Sequence, residues 1–172
     1  VLRAGWEALE PYRSGDLLNR LNSDVTETNY NHFNGCYFKQ TADIDLAKVD
    51  DWAPIGYSGG TYFAGNYDGG GHIIANANST GRTYPGEKKG EFFATAGIFG
   101  WVAFGSVKNL HVKNANFVAT GQNNYSYVGG IAGVCYGSSI KNCSVENSSL
   151  ESRRNNNNNC AGSIVGYSTG GT

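Results

Sequence analysis

Two stretches of the chain have the spacing of a nucleophilic serine: Gly56-Tyr57-Ser58-Gly59-Gly60 and Gly166-Tyr167-Ser168-Thr169-Gly170. Such an elbow works only where a strand enters, a helix leaves, and a histidine and an acid complete the set. No helical pattern follows either copy, so both read as turns. Asp43 and Asp45 are two apart and share one face of a strand, with Asp50, Asp51 and Asp68 as further acids. Paired acids suit a general acid–base couple or half of a calcium site. Calcium takes six or more oxygens and no Asp-rich ligand loop is present, so the pair is read as structural. No His, Lys or Arg aligns with an acid at a useful spacing, and neither a catalytic set, a metal nor a cofactor is expected. Aromatic residues are the better binding candidates. Trp101, Tyr125, Tyr127, Tyr136 and Tyr167, with Phe104, follow Gly-Ile-x-Gly motifs or lie in polar segments. Tyr and Trp offer an apolar face and a polar tip to a ligand, although packing at a core edge is their commoner use.

These residues sit on a repeat. Gly97-Ile98-Phe99-Gly100 recurs as Gly130-Ile131-Ala132-Gly133 and again as Ser163-Ile164-Val165-Gly166, each 33 residues on. Inside the unit Val107 matches Ile140, Val112 matches Val145, and Phe117 matches Leu150. Stepping back once more sets Ile74-Ala75-Asn76-Ala77 on Val107 to Leu110, which puts Asn76, Asn109 and Asn142 in one column. A fixed period of this size means a solenoid, a propeller or an array. The unit is rich in Gly, Asn, Ser and Val, which are poor helix formers. Its apolar residues alternate with a period near two, and the alternation slips at Asn109 and at Asn114. Asn tolerates the left-handed conformation of a sharp bend. The pattern predicts an all-β parallel β-helix of about four coils, with about three sides per coil, whose inward columns are buried only by stacking. The stacked Asn amides are either a hydrogen-bonded ladder or simply turn residues. The repeats run over 97–129, 130–162 and, in part, 163–172. The segments 118–127 and 151–160 read as aligned loops on one edge, and 79–95 as a longer loop.

The 172 residues carry a net charge of −1, with 16% charged residues, 25 Gly, 20 Asn and no Met. The basic clusters are only Lys88-Lys89 and Arg153-Arg154, so nucleic acid is not an expected partner. No apolar run approaches the 18 residues of a membrane span, so membrane insertion is not expected. Cys36, Cys135, Cys143 and Cys160 contain no CxxC pair. They are read as buried free thiols, because Cys is among the most buried residue types. A chain starting at Val1 without Met reads as a processed or excised piece. Residues 1–36 do not fit the repeat and are expected to form an N-terminal cap, with a short helix from Ser14 to about Asn22 over the open solenoid end.

The segments Phe38 to Leu46 (FKQTADIDL), Trp52-Ala53-Pro54-Ile55-Gly56 and Phe63 to Ile74 (FAGNYDGGGHII) resemble the entry segment of bacterial surface proteins bearing the GLUG motif. The Gly-Ile-Phe-Gly, Gly-Ile-Ala-Gly and Ile-Lys-Asn-Cys stretches resemble the GLUG unit itself, so the resemblance covers residues 37–172. It implies a right-handed parallel β-helix. It also makes Asp43 and Asp45 part of the entry coil, bonding backbone groups at its end. Proteins of this kind are secreted or on the cell surface, adhesin-like or associated with immunoglobulin A peptidases. The peptidase activity does not carry over, because no His-Glu-x-x-His site occurs here. The chain departs from the family pattern at Ser163 and in its Asn155–Asn159 run.

The expected function is a non-catalytic, extracellular structural or adhesive module whose partners are a host glycan, a protein, or further copies through open solenoid ends. A filament subunit stacking head to tail is the alternative. A carbohydrate-active β-helix enzyme ranks last.

Overall fold

A computed structural model describes residues 6–8, 34–56, 62–85, 92–120, 125–153 and 158–171. Among these the chain is all strand, turn and bend, with no helix. The expected helix at Ser14 lies outside the described residues.

One turn of the solenoid shows how the sequence makes the fold. In β10 (Ser106–Lys108) the middle residue, Val107, points inward. Asn109 then adopts φ 53°, the left-handed region, and turns the chain. Leu110 is buried directly after it, Val112 is the buried centre of β11 (His111–Lys113), and Asn114 turns again at φ 53°. Ala115, Phe117 and Ala119 continue the buried side into β12 (Asn116–Ala119). Each left-handed Asn inserts one residue into the period of two, so the inward set survives the corner. β13 (Tyr125–Gly129) and β14 (Ala132–Tyr136) complete the turn.

The next turn repeats it as β15 (Ser139–Lys141), β16 (Ser144–Glu146), β17 (Ser149–Ser152), β18 (Asn159–Gly162) and β19 (Val165–Thr169). Every pairing between these two turns is parallel and holds the same register, from Val107 on Ile140 to Val134 on Tyr167. The preceding turn contributes β4 (Asn66–Asp68), β5 (Ile73–Ala75), β6 (Asn78–Ser79), β8 (Phe92–Ala96) and β9 (Phe99–Ala103). Beneath it β2 (Tyr37–Gln40) and β3 (Ile44–Asp45) open the stack, and single bridges from Ile55 to Phe99 and from Phe63 to Val102 continue it. The result is a parallel β-solenoid of about three full turns above an incomplete one.

Five short strands make each turn, in place of the three sides expected: left-handed residues at Asn109, Asn114 and Phe104 or Gly137 end three of them, and Gly130-Ile131 parts β13 from β14. The segment expected as a loop over 79–95 holds β7 (Arg82–Pro85) antiparallel to β8. β1 (Trp6–Ala8) lies antiparallel on β2. Antiparallel strands at these two edges end the parallel ladder in two of the five sheets.

The core is a set of columns: Tyr67 beneath Val107 and Ile140, Ile44 and Ile74 beneath Val112 and Val145, and Phe99 beneath Ala132. Phe38, Phe63, Phe99 and Tyr67 fill the opening turns, with ring centroids 5.0–5.8 Å apart. Burial, with the neighbouring Asp68 and Cys143, pushes the Tyr67 hydroxyl well above its ordinary pKa. That hydroxyl donates to Gln40 Oε1 at 3.0 Å, while Gln40 Nε2 donates to the carbonyls of Ala42 and Ile73. Removing one partner of a buried hydrogen bond leaves the other unsatisfied, so Tyr67→Phe is expected to cost about 1–2 kcal/mol in urea denaturation.

Candidate functional site

The asparagine corners form two columns, where the sequence spacing put Asn76, Asn109 and Asn142 in one. Asn142 Nδ2 donates to Asn109 Oδ1 at 2.8 Å, and Asn109 Nδ2 donates to Asp68 Oδ1 at 2.9 Å. Asn76 belongs to the next corner, where it accepts from Asn114 Nδ2 at 3.4 Å and donates to Asp45 Oδ1 at 2.8 Å. The reason is a length difference. From Ser79 to Phe93 the chain takes 14 residues, through β7, whereas from their partners Phe117 to Tyr125 it takes 8; the link from β4 to β5, Gly69 to His72, is also two residues longer than Asn109-Leu110. Asn76 therefore pairs 38 residues on, with Asn114, rather than 33. Gly69 is required in that longer turn, since a Cβ there would collide with the Asn109 carbonyl. A third amide pair joins Asn116 Nδ2 to Asn78 Oδ1 at 3.0 Å.

The acids stand at the foot of these columns. Asp43 Oδ1 accepts from the Ile73 amide at 2.9 Å and faces His72 Nδ1 at 3.3 Å. Asp45 Oδ1 accepts from the Ala47 amide as well as from Asn76. Asp51 holds the Thr80 amide and the Arg82 guanidinium, each at 2.8 Å. Burial works to raise the Asp68 carboxyl, but bonds from Asn109, Gly70 and Lys108 outweigh it and hold the group below its usual value. Asp51 is likewise lowered against burial, by Thr80 and Arg82. Asp45 is lowered first by Asn76 and then by the Ala47 amide. A carboxylate depressed in the folded state contributes stability above its unfolded pKa and loses it as pH falls through the folded one. Melting temperature is therefore expected to fall below about pH 4, the unfolded carboxylate range. Asp68→Asn is expected to flatten that fall; an unchanged acid slope in thermal melts from pH 7 to 2.5 would contradict it.

The aromatic candidates divide into two groups. Tyr125 stacks on Phe93 with centroids 4.6 Å apart and planes 13° from parallel. Tyr127 follows Tyr125 at 6.1 Å and meets Tyr167 at 5.0 Å, both within 26° of parallel. Trp101 closes the group edge-on to Phe93 at 6.4 Å. Thus four of the five expected rings, Trp101, Tyr125, Tyr127 and Tyr167, come together around Phe93. Tyr127 is only 8% exposed, and burial, then Cys160, Tyr167 and Tyr125, push its hydroxyl up to about 12. Tyr167 stays 43% exposed at the margin. Rings stacked this closely use their faces on one another and present edges and hydroxyls outward. Phe93 was missed because it pairs with Tyr125 at a separation of 32, one short of the period. Tyr136 lies apart, packed edge-on against Phe104 at 5.5 Å.

Among the described residues one serine–histidine pair meets, and it is not one the sequence pointed to. Ser58 lies outside the described residues, and Ser168 sits in β19, where a strand continues rather than a helix beginning. His111 Nδ1 lies 2.7 Å from Ser144 Oγ across β11 and β16, a nucleophile–base contact the sequence reading overlooked because the two are 33 apart. Among the described residues no carboxylate bonds that imidazole. The four cysteines are free thiols, with Cys135 buried and the others half-buried.

Neither a curated protein nor a solved structure matches the chain. Residues 124–150 match the family model described as the GLUG motif. The matched stretch runs through β13 to β16 and into β17, about one circuit of the solenoid, and contains the corner residues Asn142 and Asn147 and the ring pair Tyr125 and Tyr127. The chain carries a GLUG motif, and that motif spans most of one 33-residue circuit of its parallel β-solenoid.

Proposed function

We propose that this β-solenoid is a non-catalytic, extracellular structural and adhesive module of a bacterial surface protein, in which stacked turns hold an aromatic face for contact with a glycan or protein. The observation that carries this reading is the group Phe93, Trp101, Tyr125, Tyr127 and Tyr167, gathered from three successive turns and reaching the surface at Tyr167. The acids, by contrast, are engaged in bonds to backbone amides, Asn amides and Arg82. Tyr and Trp in such a setting serve recognition, since an apolar ring and a polar tip meet a partner at low entropic cost. The chain is immobilised and challenged with glycan and protein arrays, beside a Tyr125→Ala/Tyr167→Ala variant. Binding that falls at least tenfold in the variant supports the reading. Turnover of a polysaccharide or ester by the chain overturns it.

The head-to-tail filament has less support. It needs both solenoid ends to accept a parallel strand, and β1 and β7 lie antiparallel across the first end of two of the five sheets.

A further inference from the structure

Phe104 occupies a backbone conformation that the other turns give to glycine. It has φ 59°, and the residues one and two periods on, Gly137 and Gly170, have φ 55° and 64°. A bulky side chain in the left-handed region is a genuine outlier, and such strain gathers at functional positions. The solenoid itself does not need the ring, because Gly makes the same corner twice more. The backbone bonds of the corner are the same kind in successive turns: the Phe104 amide donates to the Tyr136 carbonyl at 3.1 Å, and the Gly137 amide to the Thr169 carbonyl at 2.9 Å.

The ring is 60% exposed and is flanked edge-on by Tyr62 at 5.9 Å and by Tyr136 at 5.5 Å. Tyr136 is itself 47% exposed. The corner itself carries no charge; one position further on stand Asp68, Lys108 and Lys141, of which Asp68 and Lys108 pair at 3.2 Å. Residues 62–67, 101–107, 134–140 and 165–171, which carry this corner through four levels of the stack, contain no Asp, Glu, Lys, Arg or His. They supply hydroxyls and amides instead: Ser106 and Asn66 are half-buried, with Ser106 Oγ bonded to Asn66 Oδ1 at 2.8 Å, and Ser168 is exposed, whereas Ser138 is buried and bonds the Tyr136 carbonyl at 2.9 Å.

We propose that Phe104, Tyr62 and Tyr136 form a binding site for a neutral glycan. Exposed aromatic rings suit the C–H faces of a pyranose, and a rim of neutral donors and acceptors suits its hydroxyls. An anionic or cationic partner finds no opposite charge at the corner itself, and the Asp68 carboxylate beyond it is already paired with Lys108. The site is distinct from the five-ring group. Trp101 and Tyr167 lie at the centres of β9 and β19, whereas Tyr136 ends β14 and Phe104 follows the end of β9. It goes beyond the adhesive reading by naming a ligand class and a second location.

The test is calorimetric titration of the chain with linear hexasaccharides of glucose, mannose and N-acetylglucosamine, and with an oligogalacturonate as the acidic control. At least one neutral hexasaccharide is expected to bind and the acidic one to bind at least tenfold more weakly. Phe104→Gly and Tyr136→Ala are each expected to weaken binding tenfold or more. Relief of the left-handed strain offsets the lost ring packing in Phe104→Gly, so its Tm is expected to stay within about 3 °C of the parent. Absence of neutral-sugar binding overturns the proposal, as does stronger binding of the acidic sugar. Unchanged affinity in Phe104→Gly, with or without a large drop in Tm, overturns it as well and marks the ring as a prop. Loss of sugar binding in Tyr125→Ala/Tyr167→Ala but not in Phe104→Gly overturns this site while supporting the five-ring face.

Discussion

Asn109→Ala is expected to lower stability by about 3 kcal/mol, from left-handed backbone now borne by an ordinary residue and from the loss of amide bonds on both sides. Asn109 sits mid-column, donating to Asp68 below and accepting from Asn142 above, with φ 53°. Asn109→Gly separates the two contributions. Glycine adopts the corner without steric cost, so it is expected to recover about 1 kcal/mol relative to alanine, while the ladder stays broken. Equal losses for the two variants in chemical denaturation would mean that the conformation contributes nothing, and parent-like stability for Gly that the ladder contributes nothing. Lys108, which pairs with Asp68 at 3.2 Å and is half exposed, is a contrasting site, since surface ion pairs contribute little.

Phe117→Ala is expected to cost about 4 kcal/mol, because it removes a fully buried ring from the middle of a column and leaves a cavity. Phe117 lies between Ser79 below and Leu150 above. Stacked strands fix the backbone on both sides, which limits how far the cavity can collapse. Leu150→Ala, at a half-buried position in the last described turn, is expected to lose less than half as much. Comparable losses at the two positions, read from urea midpoints, would contradict a core that is deepest at the middle turn.

The repeat was readable where each turn is made from the same parts. From β10 onward the register is constant, so Val107, Val112 and Phe117 found their partners from spacing alone. It failed where the turns differ in length. The four-residue link after Asp68 and the β7–β8 hairpin push the earlier pairings to separations of 40, 38 and 32, and Asn76 moved to another column for that reason. The number of strands per turn was misjudged because the two Asn corners left a slip in the alternation, whereas β13 and β14 are parted by Gly130-Ile131 and β14 and β15 by Gly137-Ser138, where no Asn marks the bend. Of the candidate rings, those on β13 and at the centres of β9 and β19 came together, and Tyr136, at the end of β14, did not. Phe104 carried a readable signal, an aromatic residue in a column that is otherwise Gly137 and Gly170. Its meaning emerged only with the backbone angle.

The parallel solenoid with two separate asparagine columns is tested most directly by interstrand nuclear Overhauser contacts in the uniformly labelled chain. Contacts linking Val107 with Ile140, Val112 with Val145, and Ile74 with Val112 are expected, together with Asn142 side-chain amide contacts to Asn109. Contacts placing Ile74 beside Val107 and Asn76 beside Asn109, or an antiparallel pattern between these strands, would contradict it.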